Sequence, residues 1–173
     1  TLHNGLHRQY VVSQKAIDRE AYKRGTSVYL VDRVIPMLPE VLSNGICSLN
    51  AGEDRYAMTC MMEIDTQGKV VNYRIQPSII HVNRRCSYKE IYKALTEDII
   101  PDDLAPLMPM IHNLSDIAKT LNDMRRRRGA LDFDFPEYKV LLDTEGTPLR
   151  IVRRDRTLAE RLIEECMLIA NET

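Results

Sequence analysis

The side chains with catalytic potential are mainly carboxylates, histidines and arginines, and few have the spacing that a metal site needs. A two-metal phosphoryl-transfer site requires several carboxylates converging on ions about 4 Å apart. Asp102 and Asp103 come nearest to this, but they follow Pro101 at a predicted helix start, where acidic groups complement the helix dipole. His3 and His7 stand four residues apart without a third ligand close in sequence. We therefore expect no metal site within this sequence.

Motifs for phosphate loops, dinucleotide cofactors and serine nucleophiles are also missing from the sequence. There is no G-x-x-x-x-G-K-[ST] loop, no G-x-G-x-x-G after a predicted strand, and no G-x-S-x-G turn. These absences exclude the best-marked nucleotide-binding and hydrolase classes. A dinucleotide cofactor is not expected.

Four consecutive arginines, Arg125–Arg128, are the strongest local concentration of positive charge. They precede Gly129 at a predicted helix end, where cations offset the negative end of the dipole and remain solvated. Guanidinium groups also bind phosphates. The run is open to both interpretations, a solvated helix end or a contact with nucleic acid.

Composition limits the class of protein. The 173 residues carry 24 Lys plus Arg and 25 Asp plus Glu, a net charge of −1, which excludes polybasic binding of nucleic acid along the whole chain. No apolar run approaches the roughly 20 residues that cross a bilayer, and residues 1–10 lack a secretory signal. The four cysteines form no C-x-x-C pair, so we expect buried free thiols and a cytoplasmic location.

The predicted elements give an α+β fold, a mixed and mainly antiparallel sheet with hairpins, flanked by helices. A helix over 15–24 precedes a strand over 27–30. Alternation over 56–64, with Tyr56 and Met58 on the inward face, predicts one arm of a hairpin with a buried face. The turns DTQG (65–68) and DTEG (143–146) predict two hairpins in which glycine supplies the positive φ.

Capping signals locate two helices, and a glycine ends a third. Ser87 with Glu90, and Thr157 with Glu160, form S/T-x-x-E capping boxes. A longer helix over about 104–128 ends before Gly129. Its predicted apolar stripe is Leu107, Ile111, Leu114, Ile117, Leu121 and Met124. The last helix, with Leu158, Leu162, Cys166 and Ile169 as its stripe, reaches residue 173 without a stop signal, so we expect an internal fragment.

Three longer strings resemble a known family. They are RGTSVYLVDRVIPMLPEVLSNGICSLNAGEDR (24–55), RGALDFDFPE (128–137) and AERLIEECMLIANE (159–172). Together they resemble the catalytic RNB domain of the ribonuclease R and ribonuclease II family, closest to the bacterial ribonuclease R branch. The resemblance implies a single partial RNB catalytic domain over 1–173, with residues 1–15 divergent.

That resemblance implies a processive 3′→5′ exoribonuclease that hydrolyses single-stranded RNA to nucleoside 5′-monophosphates. It also implies Mg²⁺ as cofactor and flanking OB-type RNA-binding domains in the parent protein. The family's Asp-rich metal motif lies outside this sequence, so we expect the Mg²⁺ ligands elsewhere and negligible hydrolysis by the 173-residue chain alone. The family aspartate of the first strand is replaced by Leu6.

The resemblance also assigns site residues. It gives catalytic roles to Tyr29, which packs against the 3′-terminal base of RNA, and to Glu164. It places Phe133 at the other end of the stacked bases, with Tyr88 near the ribose, and Arg128 is expected to contact RNA. From the residues alone, Tyr29 and Phe133 would be core, Tyr88 part of an apolar helix face, and Glu164 a solvated acid.

Two other functions stay open. The chain could be a non-catalytic RNA-binding protein that retains the stacking residues, including Tyr29. It could also be a structural piece whose exposed core surface drives self-association.

Overall fold

The computed structural model describes residues 12–131 and 135–173. This part of the chain divides into two compact units, each assembled from segments distant in sequence. The first unit contains residues 12–59, 76–85 and 136–154, and the second contains residues 60–75, 86–131, 135 and 155–173. The described residues form both helices and antiparallel hairpins, which confirms the predicted α+β class.

The first unit begins with helix α1 (Ala16–Arg24), which ends at Gly25 with a φ of 72°. Strands β1 (Val28–Tyr29) and β2 (Val34–Ile35) then form a small antiparallel hairpin. The chain continues into a wide helical turn, Val41–Ile46. The predicted helix at 15–24 is confirmed, while the predicted strand over 27–30 is shortened to two residues.

A second hairpin of the first unit joins β5 (Glu137–Leu142) to β6 (Pro148–Arg154). Its turn is organised by Asp143, whose Oδ1 accepts from the N–H groups of Glu145 at 2.9 Å and Thr147 at 2.8 Å. Hydrogen bonds from the backbone of Thr147 and then Glu145 lower the pKa of the Asp143 carboxyl from its usual value. Gly146 supplies the predicted positive φ of 86°.

Strands β3 (Asp54–Ile64) and β4 (Val70–His81) form the longest hairpin. The prediction of one buried face is wrong for the first half of β3, because Tyr56 is 59% exposed and Met58 41%, whereas Ala57 is buried. From Cys60 onward the predicted side is half-buried. The change occurs between residues 59 and 60, where the strand passes from one unit to the other.

The second unit is mainly helical. It contains α2 (Tyr88–Thr96), a single tight turn (Ala105–Leu107), α3 (Met108–Arg127) and α4 (Leu158–Glu172). Helix α4 packs against both α2 and α3. A core cluster forms where α2 meets the start of α3, and its buried members are Ala94, Leu104, Met108 and Ile111.

Both predicted capping boxes are present. Ser87 Oγ accepts from the N–H of Glu90 at 3.2 Å, and the Glu90 carboxylate accepts from the N–H of Ser87 at 3.4 Å. The carboxylate of Glu160 accepts from the N–H of Thr157 at 3.0 Å. These local bonds satisfy N–H groups that have no partner inside the helix.

The predicted stripe of α3 is wrong at Ile117, which is 40% exposed. The buried side passes instead through the small residues Ser115 and Ala118 before reaching Leu121. Small side chains allow neighbouring backbone to approach closely. The predicted stripe contains only large apolar residues, so it does not include these two positions. The C-terminal end of the helix agrees with prediction, with Gly129 at a φ of 88°, whereas the helix begins at Met108, after the tight turn, and not at about residue 104.

The cysteines are free thiols, as expected, but not all are buried. Cys86 is exposed, while Cys47, Cys60 and Cys166 are half-buried. Within residues 12–131 and 135–173, the helices are too short or too polar to span a bilayer.

Candidate functional site

Tyr29 lies at the tip of the β1–β2 hairpin in the first unit. It is paired with Val34 on the opposite strand, and the N–H of Leu30 donates to Arg33 O at 2.8 Å to close the turn. Tyr29 is 78% exposed. The interpretation of Tyr29 as a core residue is therefore wrong in this structure, and its ring is open to a ligand.

Two side chains anchor the base of this hairpin. Arg24 Nη1, at the end of α1, donates to Pro36 O at 2.8 Å. Ser27 Oγ accepts from the N–H of Met37 at 3.0 Å. Because each strand has only two residues, these bonds add substantially to the few that the strand pair supplies, and they fix the base from which Tyr29 projects.

Tyr88 lies in the second unit, as the first residue of α2. It is 44% exposed, so it does not belong to the buried face that Ala94 forms on the same helix. The Ser87–Glu90 capping box directly before it fixes the backbone at this position. Its phenol is accessible as a hydrogen-bonding group at the helix start.

Glu164 lies on α4 and forms an ion pair with Arg156. Their side chains are 37% and 32% exposed, respectively. Glu164 is therefore a paired carboxylate and not a freely solvated helix acid. A carboxylate has several lone-pair positions, so the pair leaves acceptor capacity for a ligand hydroxyl.

Arg128 caps α3 and binds both carboxylate oxygens of Glu172, through Nη2 at 2.7 and 2.8 Å. Both side chains remain about half exposed. The helices that carry Tyr88, Glu164 and Arg128 belong to the second unit, whereas Tyr29 belongs to the first. Phe133 lies outside the described residues.

Glu165 was not among the predicted site residues, and it is only 4% exposed. Its Oε1 accepts from Asn122 Nδ2 at 2.8 Å and from Arg125 Nη2 at 2.7 Å. Arg125 Nε lies 3.2 Å from the second oxygen, Oε2. The helical spacing in the sequence indicates that this carboxylate is buried, because position 165 falls between Leu162 and Ile169 on the buried side of α4.

Candidate metal ligands are dispersed. Among residues 12–131 and 135–173, no group of three or more His, Cys, Asp or Glu side chains is placed to hold a metal ion. His81 Nδ1 lies 2.7 Å from Asp54 Oδ1, but both side chains are more than half exposed. His3 and His7 lie outside the described residues.

Comparison with known proteins identifies the family. A model of the RNB domain matches residues 8–173. Ribonuclease R of Thermotoga maritima is 48% identical over 165 residues, covering 95% of this chain and 23% of that protein. This chain spans only 20–25% of the length of that protein and of the two ribonuclease R proteins of Lactococcus lactis, which are 45% and 43% identical to it.

Solved structures agree. Mycoplasma genitalium RNase R in complex with ribose methylated single-stranded RNA superposes with a TM-score of 0.89 at 31% identity, covering 95% of this chain and 26% of that one. The same enzyme in complex with double-stranded RNA gives a TM-score of 0.91 at 30% identity, covering 98% and 30%. The resemblance to ribonuclease R is confirmed, and the chain belongs to the RNB domain family.

Proposed function

We propose that this chain forms part of a processive 3′→5′ exoribonuclease that hydrolyses RNA to nucleoside 5′-monophosphates. Membership of the RNB family and likeness to ribonuclease R support the proposal. The observation that carries it is the 78% exposure of Tyr29 on an anchored hairpin. An exposed aromatic ring held by a fixed backbone is suited to stacking against a base.

In this proposal Tyr29 stacks on the 3′-terminal base. Stacking contributes about 1–3 kcal/mol per base and tolerates every base, which a degrading enzyme requires. Phe133 holds the other end of the stack. Glu164 and Tyr88 offer an acceptor and a phenol to the ribose 2′-hydroxyl, which distinguishes RNA from DNA. Arg128 keeps N–H groups beyond its contact with Glu172 and can donate them to a phosphate.

Mg²⁺ belongs to the proposed reaction of the whole protein, where it would stabilise charge on the scissile phosphate. The described residues do not fit it, because no metal-binding cluster occurs among them. We propose that its ligands lie outside those residues. We also propose that the whole protein is cytoplasmic and carries OB-type RNA-binding domains beside this region.

The alternative is a non-catalytic RNA-binding protein that uses the same stacking residue. Exposure of Tyr29 supports it equally, since stacking needs no metal. The two functions differ in what the gene encodes directly before residue 1. An Asp-rich segment there favours the exoribonuclease, and a segment without acidic clusters favours the binding protein.

Photo-crosslinking tests which end of RNA reaches Tyr29. Two oligo(A) strands would be compared, one with 4-thiouridine at the 3′ terminus and one with it at the 5′ terminus. We expect the 3′-terminal probe to label the peptide that contains Tyr29, as detected by mass spectrometry. Equal or stronger labelling by the 5′-terminal probe would contradict the assigned polarity.

An activity assay tests the expectation for the chain alone. With Mg²⁺ and 5′-labelled oligo(A), the 173-residue chain should leave the RNA intact on a denaturing gel. A ladder of shortened products that requires Mg²⁺ would refute the expectation that the metal ligands lie elsewhere.

A further inference from the structure

The four arginines at the end of α3 differ in their surroundings. Arg125 pairs with the buried Glu165, and Arg128 pairs with Glu172. Arg127 Nη2 donates to the carbonyl oxygen of Gln67 at 3.3 Å, a neutral acceptor. Within the described part of the chain, Arg126 has no side-chain partner. Two of the four charges are thus neutralised by carboxylates, and two are not.

The two arginines without a carboxylate partner line one open cavity of about 450 Å³ in the second unit. Thr66, Thr120 and Asp123 complete its lining. Thr120 Oγ1 already donates to Asp116 O at 3.0 Å, so Thr66 is the hydroxyl that can donate into the cavity. The cavity therefore offers two guanidinium groups and one hydroxyl, opposed by one carboxylate.

The walls of this cavity are held together by close packing. The β3–β4 turn lies directly on α3, and a Cβ added to Gly68 would be 3.2 Å from Met124 Cβ and 3.3 Å from Thr120 O. The bond from Arg127 to Gln67 crosses the same contact. The position of Thr66 relative to the two arginines is therefore set by the fold.

We propose that this cavity binds a phosphodiester group of the RNA backbone. Guanidinium groups present a planar fork of donors that matches phosphate oxygens, and a hydroxyl adds a further donor. Because the cavity is open, the phosphates of an RNA strand that is bound elsewhere on the protein can reach it. The inference rests on the proposed RNA-binding function and adds a phosphate contact distinct from the contact with Tyr29.

Salt-dependent binding tests the proposal. Anisotropy of labelled oligo(A) would be measured on the 173-residue chain, on Arg126→Gln and on Arg127→Gln. Arg161→Gln is the matched control, because this exposed arginine of α4 lies outside the cavity. We expect each cavity variant to weaken binding several-fold and to reduce the slope of log K against log salt by about 0.7, the value for one phosphate contact on a single strand.

Asp123→Asn provides a test in the opposite direction. Removing this carboxylate from the cavity lining should strengthen binding of oligo(A). A variant that had lost its folded structure would bind more weakly, so stronger binding cannot result from unfolding. Thermal unfolding of each variant confirms that it is folded. Cavity variants that match Arg161→Gln in affinity and slope would overturn the proposal.

Two further outcomes separate this inference from the proposed function. If Tyr29→Ala weakens binding at an unchanged salt slope while Arg126→Gln has no effect, the inference fails and the stacking function stands. A wild-type chain that does not bind oligo(A) overturns both. If oligoglutamate at equal ionic strength binds wild type more tightly than oligo(A) does, and Arg126→Gln abolishes that binding, the partner is an acidic protein segment and the RNA assignment is overturned.

Discussion

Arg125 and Glu165 form a two-point ion pair inside the second unit, with Nη2 2.7 Å from Oε1 and Nε 3.2 Å from Oε2. The Glu165 side chain is 5% exposed and that of Arg125 20%. Asn122 supplies one more hydrogen bond to the carboxylate. The pair joins α3 to α4 and neutralises the charge of Arg125.

Removing one partner of this pair should destabilise the protein strongly. Arg125→Met leaves the buried carboxylate without its cation, which costs about 3–5 kcal/mol. Urea denaturation followed by circular dichroism measures the change in free energy of unfolding. The double variant Arg125→Met/Glu165→Met should recover most of the loss, and Arg161→Gln should change stability by less than about 0.5 kcal/mol. A cost below about 1 kcal/mol for Arg125→Met would contradict the buried pairing.

The two turn glycines provide a matched pair of substitutions. Gly68→Ala and Gly146→Ala both place a side chain at a φ near 87°, since the two angles are 88° and 86°. That conformation costs about 1–2 kcal/mol for an L-residue. A Cβ at Gly146 meets nothing within 4 Å, whereas one at Gly68 meets Met124 and Thr120 at 3.2 and 3.3 Å.

Gly68→Ala should therefore be the more destabilising of the two, by about 1 kcal/mol or more from the added steric overlap. Thermal unfolding monitored by circular dichroism compares the variants directly. Equal losses of stability would mean that the β3–β4 turn does not pack closely on α3.

Ser27→Ala tests whether the base of the hairpin positions Tyr29. Loss of the acceptor for the Met37 N–H should loosen the hairpin and weaken oligo(A) binding in part. Because the effect acts through Tyr29, Ser27→Ala/Tyr29→Ala should bind no more weakly than Tyr29→Ala. Additive losses, measured by anisotropy, would show that Ser27 acts independently.

The cysteines should differ in reactivity. Burial, and to a smaller extent the negative charge of Glu165, raise the pKa of the Cys166 thiol. A raised pKa lowers the fraction of reactive thiolate at pH 8, so Cys166 should react slowly with iodoacetamide, and faster as the pH increases. Exposed Cys86 should be alkylated first, as followed by mass spectrometry of peptides. Modification of Cys166 before Cys86 would contradict this order.

Local signals in the sequence predicted local structure well. The capping boxes at Ser87 and Thr157 and the glycines of the two turns depend on residues within four positions, so no tertiary information was needed. The family and its fold class came from longer ordered strings and are confirmed.

Which face of an element is buried was harder to predict. Ile117 and Tyr56 follow apolar periodicities, but the side that is covered depends on elements distant in sequence. The spacing on α4 indicates that Glu165 is buried, but its partner, Arg125, is 40 residues away and is identified only by the structure. The periodicity of apolar residues predicts which residues share one face of a helix or strand. It does not predict which other element packs against that face.

The most direct test of the central proposal is the equilibrium binding of oligo(A) to Tyr29→Ala. Loss of one stacking contact, worth about 1–3 kcal/mol, should weaken binding about 5- to 150-fold, whereas Tyr29→Phe should retain it. Tyr22→Ala is the control, since this tyrosine of α1 is 89% exposed and has no assigned role. Equal affinity of Tyr29→Ala and Tyr22→Ala for oligo(A) would contradict the proposal that Tyr29 stacks on RNA.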